Sequence, residues 1–597
     1  MNALTLLIIA GLVLVLGYRY YGAFIAAKVL SLDPSRTTPA RRHNDGKDYV
    51  PTNRWVVFGH HFAAIAGAGP LIGPVLAAQF GYLPGTLWLL IGAVFAGAVH
   101  DIVVLFASVR HDGLSIAEIA RKEQGTFSGW LTSFAVLMIL IITMAGLAVS
   151  VVNALFQSPW GTFTVGVTIP IALFIGVYLR WLRPGKIGEA TVIGVTLVLL
   201  GVVLGPWVER SALAPFLTFD RHQLSIIIAV YGFVAAALPV WLLLAPRDYL
   251  STYMKIGTIG ALALGIVFVH PVLQMPAFTK FVAGGGPIIP GKVWPYMFIT
   301  IACGAMSGFH AIIGSGTTPK MLESERDILP VSFGGMLVES FVALMALIAA
   351  TALHPADYYA INTLPETFAK MGLHVQNLPV LSQMVGENVA GRPGGAVSLA
   401  VGMASIFSGI PGLQHLMSYW YHFAIMFEAL FILTTIDAGT RVGRYLLQEM
   451  GGAVYKPLRN HNWLPGIVVT SGAISLIWGY MVYVGSITTL WPLFGVGNQL
   501  LGSMALAIGT TMIIRMGKAK YAWTTVVPMT FLSITTVAAG YENIVASYLP
   551  AHNYLLAVLS GIMIVMVVVV IIDSIRTWRK LLRTTGAGAA EVATAGD

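Results

Sequence analysis

Nine ionisable side chains stand inside otherwise apolar stretches of this 597-residue chain: His60, His61, His100, Asp101, His310, Glu339, His415, His422 and Glu428. An ionisable group costs free energy in hydrocarbon, so each marks a proton path, an ion site or a substrate contact unless a plainer use accounts for it. Histidine titrates nearest neutrality, and a carboxyl beside it can exchange the same proton, which gives His100-Asp101 the chemistry of a proton relay. The plainer use is a buried aspartate that ties neighbouring backbone. Ser307-Gly308-Phe309-His310 leads into Gly314-Ser315-Gly316-Thr317-Thr318-Pro319-Lys320. Hydroxyls at Ser307, Ser315, Thr317 and Thr318, beside loosened backbone, suit a hard monovalent cation or a substrate, although capping helix ends is their commoner use. Protons are the preferred coupling ion on the histidine census, and Na⁺ is the alternative on these hydroxyls. His60 and His61 are about two turns from the start of their helix and face different sides. His415 and His422, seven apart, share a face, and haem ligation would need a histidine from a second, facing element.

The element that must position these groups is His60 to Pro74. Gly67, Gly69 and Gly73 with Pro70 and Pro74 remove helix propensity within eight residues, and each proline deletes an amide donor. The stretch is apolar enough to span a membrane, so it predicts a broken helix, the usual binding element of secondary transporters. A tight small-residue helix crossing is the alternative. The substrate is expected near the bilayer midplane between Gly67, Gly69, Pro70 and Gly73 and a kink at Leu238-Pro239, where free amides at half-helix N-termini suit a carboxylate.

Composition fixes the class: 57% hydrophobic and 10% charged residues, against about 25% charged in soluble domains, define a polytopic all-α membrane protein. The single cysteine, Cys303, excludes a disulfide framework and multi-cysteine metal sites. Apolar runs predict fifteen crossings near 3-24, 55-80, 85-108, 130-152, 164-180, 187-207, 225-245, 256-275, 294-313, 332-352, 398-434, 464-485, 490-514, 522-542 and 554-573. An outside N-terminus and a cytoplasmic C-terminus put 27 of the 34 Lys and Arg in inner segments and six outside, as the positive-inside rule requires. That balance explains the net charge of +9 without nucleic acid. Residues 398-434 would reach about 55 Å as one helix, so they must be interrupted, with the break at Ser408 to Gly412.

The chain divides into a first span and basic loop (1-54), a transport core (55-352), an outer loop (353-397), a second helical region (398-573) and a basic tail (574-597). Within the core, the five crossings in 55-207 and those in 225-352 start on opposite sides, as a five-plus-five inverted repeat like that of the amino-acid transporter superfamily requires. In that scheme 225-245 is the counterpart of the broken second span. Gly284-Gly285-Gly286-Pro287 lacks a phosphate-loop pattern, so no ATP-driven step is expected.

Gly59-His60-His61-Phe62 leading into Gly67 to Pro74, Val99-His100-Asp101, Leu244 to Leu250 and Ser307 to His310 together resemble the carbon starvation protein A (CstA) family. So do Gly314 to Lys320, Ile436-Asp437-Ala438-Gly439-Thr440-Arg441 and Trp491 to Leu500, and the set covers nearly the whole chain. The resemblance implies an inner-membrane carrier associated with nutrient limitation, taking up peptides or, in a close relative, pyruvate with protons. It also implies a C-terminal five-helix region from about 390 onward. The expectation is a secondary transporter in the lipid bilayer, importing a small carboxylate-bearing nutrient with protons, without enzymatic residues, cofactor or metal. A haem or quinone oxidoreductase and a nutrient sensor that binds without transport are the rivals.

Overall fold

The computed structural model describes residues 1–45, 49–183, 186–239, 242–452, 454–460 and 462–594. Lys47 of the basic loop and Val240 of the expected kink lie outside them. Among the described residues, twelve helices are long and apolar enough to cross a membrane, or thirteen with one bent pair. In chain order we name α1 (Ala3–Leu30), the bent pair α2 (Arg54–Ile65) and α3 (Gly69–Phe80), α4 (Tyr82–Arg110), α5 (Thr126–Leu155), α6 (Pro159–Leu182) and α7 (Ile187–Glu209). Next come α8 (Arg221–Ala237), α9 (Leu244–Val269), α10 (Val293–Thr300), α11 (His310–Gly316) and α12 (Glu325–Thr351). The rest are α13 (Ala396–Ser408), α14 (Gln414–Gly451), α15 (Leu464–Val484), α16 (Ile487–Arg515), α17 (Trp523–Tyr548) and α18 (Tyr554–Arg583). The polytopic all-α class is therefore as read from composition.

Local signals set several boundaries. Asp220 and Gln223 form a capping box that starts α8, and Ser486 with Thr489 does the same for α16, each satisfying backbone donors that a helix start leaves free. Burial separates centre from periphery. Every residue in the most apolar window of α16 is buried, against 28% in α1 and α7, which turn most of their apolar surface to lipid. α16 and α14, from the second helical region, share one hydrophobic core with α3, α4, α5 and α12.

Two expected crossings have a different form. The stretch 225-245 is not a span with a central kink: α8 ends at Ala237, Leu238 closes its last turn, and Pro239 is exposed in the turn towards α9. The stretch 294-313 is helical only at its ends, and residues 301–309 between α10 and α11 are unwound. The segment facing the α2–α3 break is thus 300–310 rather than Leu238-Pro239. The inverted repeat does not emerge as drawn.

Residues 398-434 turn where the break was expected, but their two arms lie side by side. Gly395, at the start of α13, abuts Ile72 and Val75 in the middle of α3, and Gly409, just past its end, abuts Val269 at the end of α9. α13 therefore packs against both α3 and α9, and α14 is the arm long enough to cross a membrane. The same side carries the segment 271–279, which bonds Met1, Thr351 and Phe80, and the loop 353–397. That loop is ordered around Asp357, whose carboxylate accepts the amides of Gln376, Asn377 and Leu378, and it is fastened to α3 by the Tyr358 hydroxyl on the Val75 carbonyl at 2.6 Å.

Candidate functional site

The break after Ile65 follows from its sequence. Ala66 leaves helical geometry (φ −74°, ψ 74°), the Gly67 amide turns back to the Ile65 carbonyl at 2.8 Å, and α3 restarts at Gly69-Pro70 with a bend of 47°. Proline suits this first turn, where its missing donor is not needed. A Cβ on Gly69 would lie 2.3 Å from Cys303 Sγ, and one on Gly73 would lie 2.5 Å from the Thr300 carbonyl oxygen. Pro70 borders Gly304. Glycine at 69 and 73 is what lets one broken span touch the other.

The unwound segment 301–309 would leave backbone groups without partners in a dry interior, a cost of several kcal/mol each. Buried side chains supply them. Trp491 Nε1 donates to the Thr300 carbonyl (3.2 Å), Trp88 Nε1 to Ile301 (3.1 Å) and Gln499 Nε2 to Phe298 (2.7 Å), while Asn498 Oδ1 accepts the Phe309 amide (2.8 Å). The Trp491 to Gln499 stretch of α16 therefore exists to hold the second break open. Ser307 joins the same cluster, its hydroxyl 3.3 Å from Asn498 Oδ1.

At the end of the unwound segment the charged groups converge. His310 Nδ1 is 2.8 Å from Asp101 Oδ2, its Nε2 is 3.0 Å from Glu339 Oε2, and His100 Nδ1 is 2.8 Å from Asp101 Oδ1. All four are buried. Two carboxylates share one imidazole here. With both carboxylates ionised and His310 protonated, the trio carries one net negative charge in low dielectric, and taking up one proton neutralises it. Unit charges 4 Å apart interact by about 4 kcal/mol at an effective dielectric of 20, so this proton can bias a conformational equilibrium.

Of the other expected site residues, His61 Nδ1 meets the Thr318 hydroxyl (2.8 Å) and His60 Nε2 the Thr317 hydroxyl (3.2 Å), tying α2 to the end of α11. Ser315 bonds the Ala311 carbonyl and accepts the Ile116 amide, a structural tie. His422 lies flat on Trp160 with ring centroids 3.7 Å apart and bonds the Ser418 carbonyl, away from the trio. Leu238 belongs to a second charged cluster, where Arg441 donates to the carbonyls of Ala235 and Leu238 (2.7 and 2.5 Å), and Asp437 lies 3.5 Å from Arg247 and 2.5 Å from the Tyr231 hydroxyl.

Sequence reading missed Lys255, whose Nζ bonds the carbonyls of Ala63 and Ala66 at the end of α2 (2.9 and 3.1 Å). Cys303 and the Asn498-Gln499 pair were named there only as the lone cysteine and within the Trp491 to Leu500 motif, with no place at the site, and Trp88 was not singled out. A polar pair inside the apolar run 490-514 was the signal available for Asn498-Gln499.

Two broken spans joined back to back, with a charged trio at their junction and a dozen helices around them, define a membrane transporter. The chain belongs to the carbon starvation protein CstA family, whose model matches residues 2–539. The peptide transporter CstA of Bacillus subtilis is 54% identical over 586 residues, covering 97% of this chain and 98% of that one. The Escherichia coli peptide transporter CstA is 49% identical over 568 residues (91% and 81% covered), and the E. coli pyruvate/proton symporter BtsT 47% over 592 residues (91% and 82% covered). A solved manganese transporter from Eremococcus coleocola aligns over 90% of this chain and 99% of its own at 13% identity, with a TM-score of 0.42.

Proposed function

We propose that this carrier imports a small carboxylate-bearing nutrient, peptides first, together with protons, and that Asp101, His310 and Glu339 carry the coupling proton. The supporting observation is the buried trio at the junction of the two breaks: it gains or loses one proton where movement of either half-span alters its surroundings. The substrate lies at the same junction, against Gly67, Gly69, Pro70 and Gly73 on one side and the segment 301–309 on the other. Hydroxyl pairs at Thr317 and Thr318 are engaged with His60 and His61, which favours protons over Na⁺. A monocarboxylate such as pyruvate is the second reading, favoured by the 47% identity to a pyruvate/proton symporter. A cleft of about 480 Å³ lined by Asn153, Arg221, His222 and Asn362 offers an approach for an anion on the side of the outer loop.

Uptake of labelled dipeptides and pyruvate into proteoliposomes tests this reading. Binding without accumulation identifies a sensor instead, and a Soret band in the purified protein identifies a redox enzyme. A ligand that binds only the folded state raises its melting temperature, so a thermal-shift screen of both compound classes ranks them.

From the balance of basic residues we read the N-terminus as outside and the C-terminus as on the cytoplasmic side of the membrane. Cysteines introduced at Lys186 and Lys520 should resist an impermeant thiol reagent in intact cells, and one at Lys370 should react; the reverse pattern overturns the orientation. The native Cys303 is buried and adds little background.

A further inference from the structure

A groove of about 460 Å³ runs between α8 and α15, lined by Ile226, Val230 and Phe233 on one side and by Gly472, Leu476 and Gly479 on the other. Glycine gives it depth. A Cβ on Gly472 would meet nothing nearer than Phe233 Cε2 at 3.8 Å, so any side chain at 472 would enter the groove. Leu476 is 73% and Ile226 56% exposed, so the groove faces outward to the surroundings of the helices rather than into the core. Its walls extend from Ser225 to Phe233 and from Gly472 to Tyr483. At about 1.5 Å per helical residue that is roughly 12–16 Å, the depth of one leaflet in a hydrocarbon core about 30 Å thick.

The groove meets the cleft of about 480 Å³ at one end, where Ser225 and Tyr483 line both. Tyrosine is enriched at the headgroup level of a membrane. Arg221 and His222 stand on the cleft side, the His222 ring centre 4.3 Å from that of Tyr483. Among the described residues no aspartate or glutamate lines the cleft. Arg221 is held over the Phe156 ring, its guanidinium carbon 5.0 Å from the centre, and its Nε is buried without a hydrogen-bond partner. A guanidinium matches the oxygens of a phosphate or carboxylate. A soluble anion would satisfy Arg221 and leave the groove open to water or lipid tails alike, whereas an anionic amphiphile satisfies both ends.

We propose that α8 and α15 bind one phospholipid with an anionic headgroup, its phosphate on Arg221 and His222 at the edge of the cleft and one acyl chain along the groove. With the N-terminus outside, α8 starts on the outer side, so the lipid belongs to the outer leaflet. The site lies apart from the junction of the two breaks and is independent of which substrate or coupling ion the carrier uses.

The test uses the full-length protein, delipidated in detergent, and counts bound lipid by native mass spectrometry during titration with phosphatidylglycerol or with phosphatidylcholine of the same chains. The wild type should bind one phosphatidylglycerol in preference to phosphatidylcholine. Arg221→Gln should weaken phosphatidylglycerol about tenfold, the scale of a charge-assisted hydrogen bond, and leave phosphatidylcholine unchanged. Gly472→Leu should weaken both lipids, because its side chain takes the place of the acyl chain. Equal affinity of the wild type for the two lipids, or unchanged phosphatidylglycerol binding in either variant, overturns the proposal. Inorganic phosphate that raises the melting temperature as much as phosphatidylglycerol does would make this a site for a free anion instead. A wild-type dimer that Gly472→Leu dissociates would make the groove an interface between copies, and that too overturns it.

Discussion

Gly69→Ala is expected to abolish uptake, and Cys303→Gly in the same chain to restore much of it. A methyl group at residue 69 would lie 2.3 Å from Cys303 Sγ and 2.5 Å from its Cβ, where no real contact exists, while the Cys303 Cα at 3.9 Å leaves room once the side chain is gone. Overpacking of this kind costs about 1–3 kcal/mol, the scale that separates the conformers a carrier must alternate between. The two breaks would be pushed apart at the junction assigned to the substrate. Initial uptake rates normalised to membrane abundance check the pair: normal transport by Gly69→Ala removes this junction from the pathway, and failure of the double variant to recover means the clash is not the cause.

The second large effect is on energy coupling. Asp101→Asn keeps an acceptor for one imidazole but removes the charge that His100 and His310 both face at 2.8 Å. A gradient of one pH unit is worth 1.36 kcal/mol per proton, so one-proton symport concentrates substrate about tenfold. The variant should fall to about unity while retaining counterflow exchange, which needs no net proton movement. Glu339→Gln should behave alike, because its carboxyl is 3.0 Å from the same imidazole. Undiminished accumulation in Asp101→Asn would assign the proton elsewhere.

How far the sequence carried depends on the signal each residue leaves. The first break was legible because Gly67 to Pro74 combine residues that lack a Cβ with residues that lack an amide donor. The second was not, since Ile301 to Phe309 contain no proline and are unwound by partners as remote as Trp88 and Asn498. Asp101, His310 and Glu339 stood out as ionisable groups in apolar runs, but their pairing joins α4, α11 and α12 across more than two hundred residues. Lys255 was set outside the membrane because a hydropathy window drops the charge at its edge and starts the span at 256. Arg247, Arg441 and Arg444 entered the count of inner basic residues for the same reason, yet all three are buried within helices. Pro239 misled in the opposite sense: a proline inside an apolar run reads as a kink, and here it follows the end of a helix.

The central claim is that protons drive this carrier through a buried charged junction, and the most direct measurement is substrate-coupled proton movement. In sodium-free proteoliposomes loaded with a pH-sensitive dye, adding the substrate found by thermal shift should acidify the lumen, and an inward pH gradient alone should concentrate the substrate. Accumulation that requires sodium and ignores the pH gradient, with no change in lumenal pH, would contradict the account.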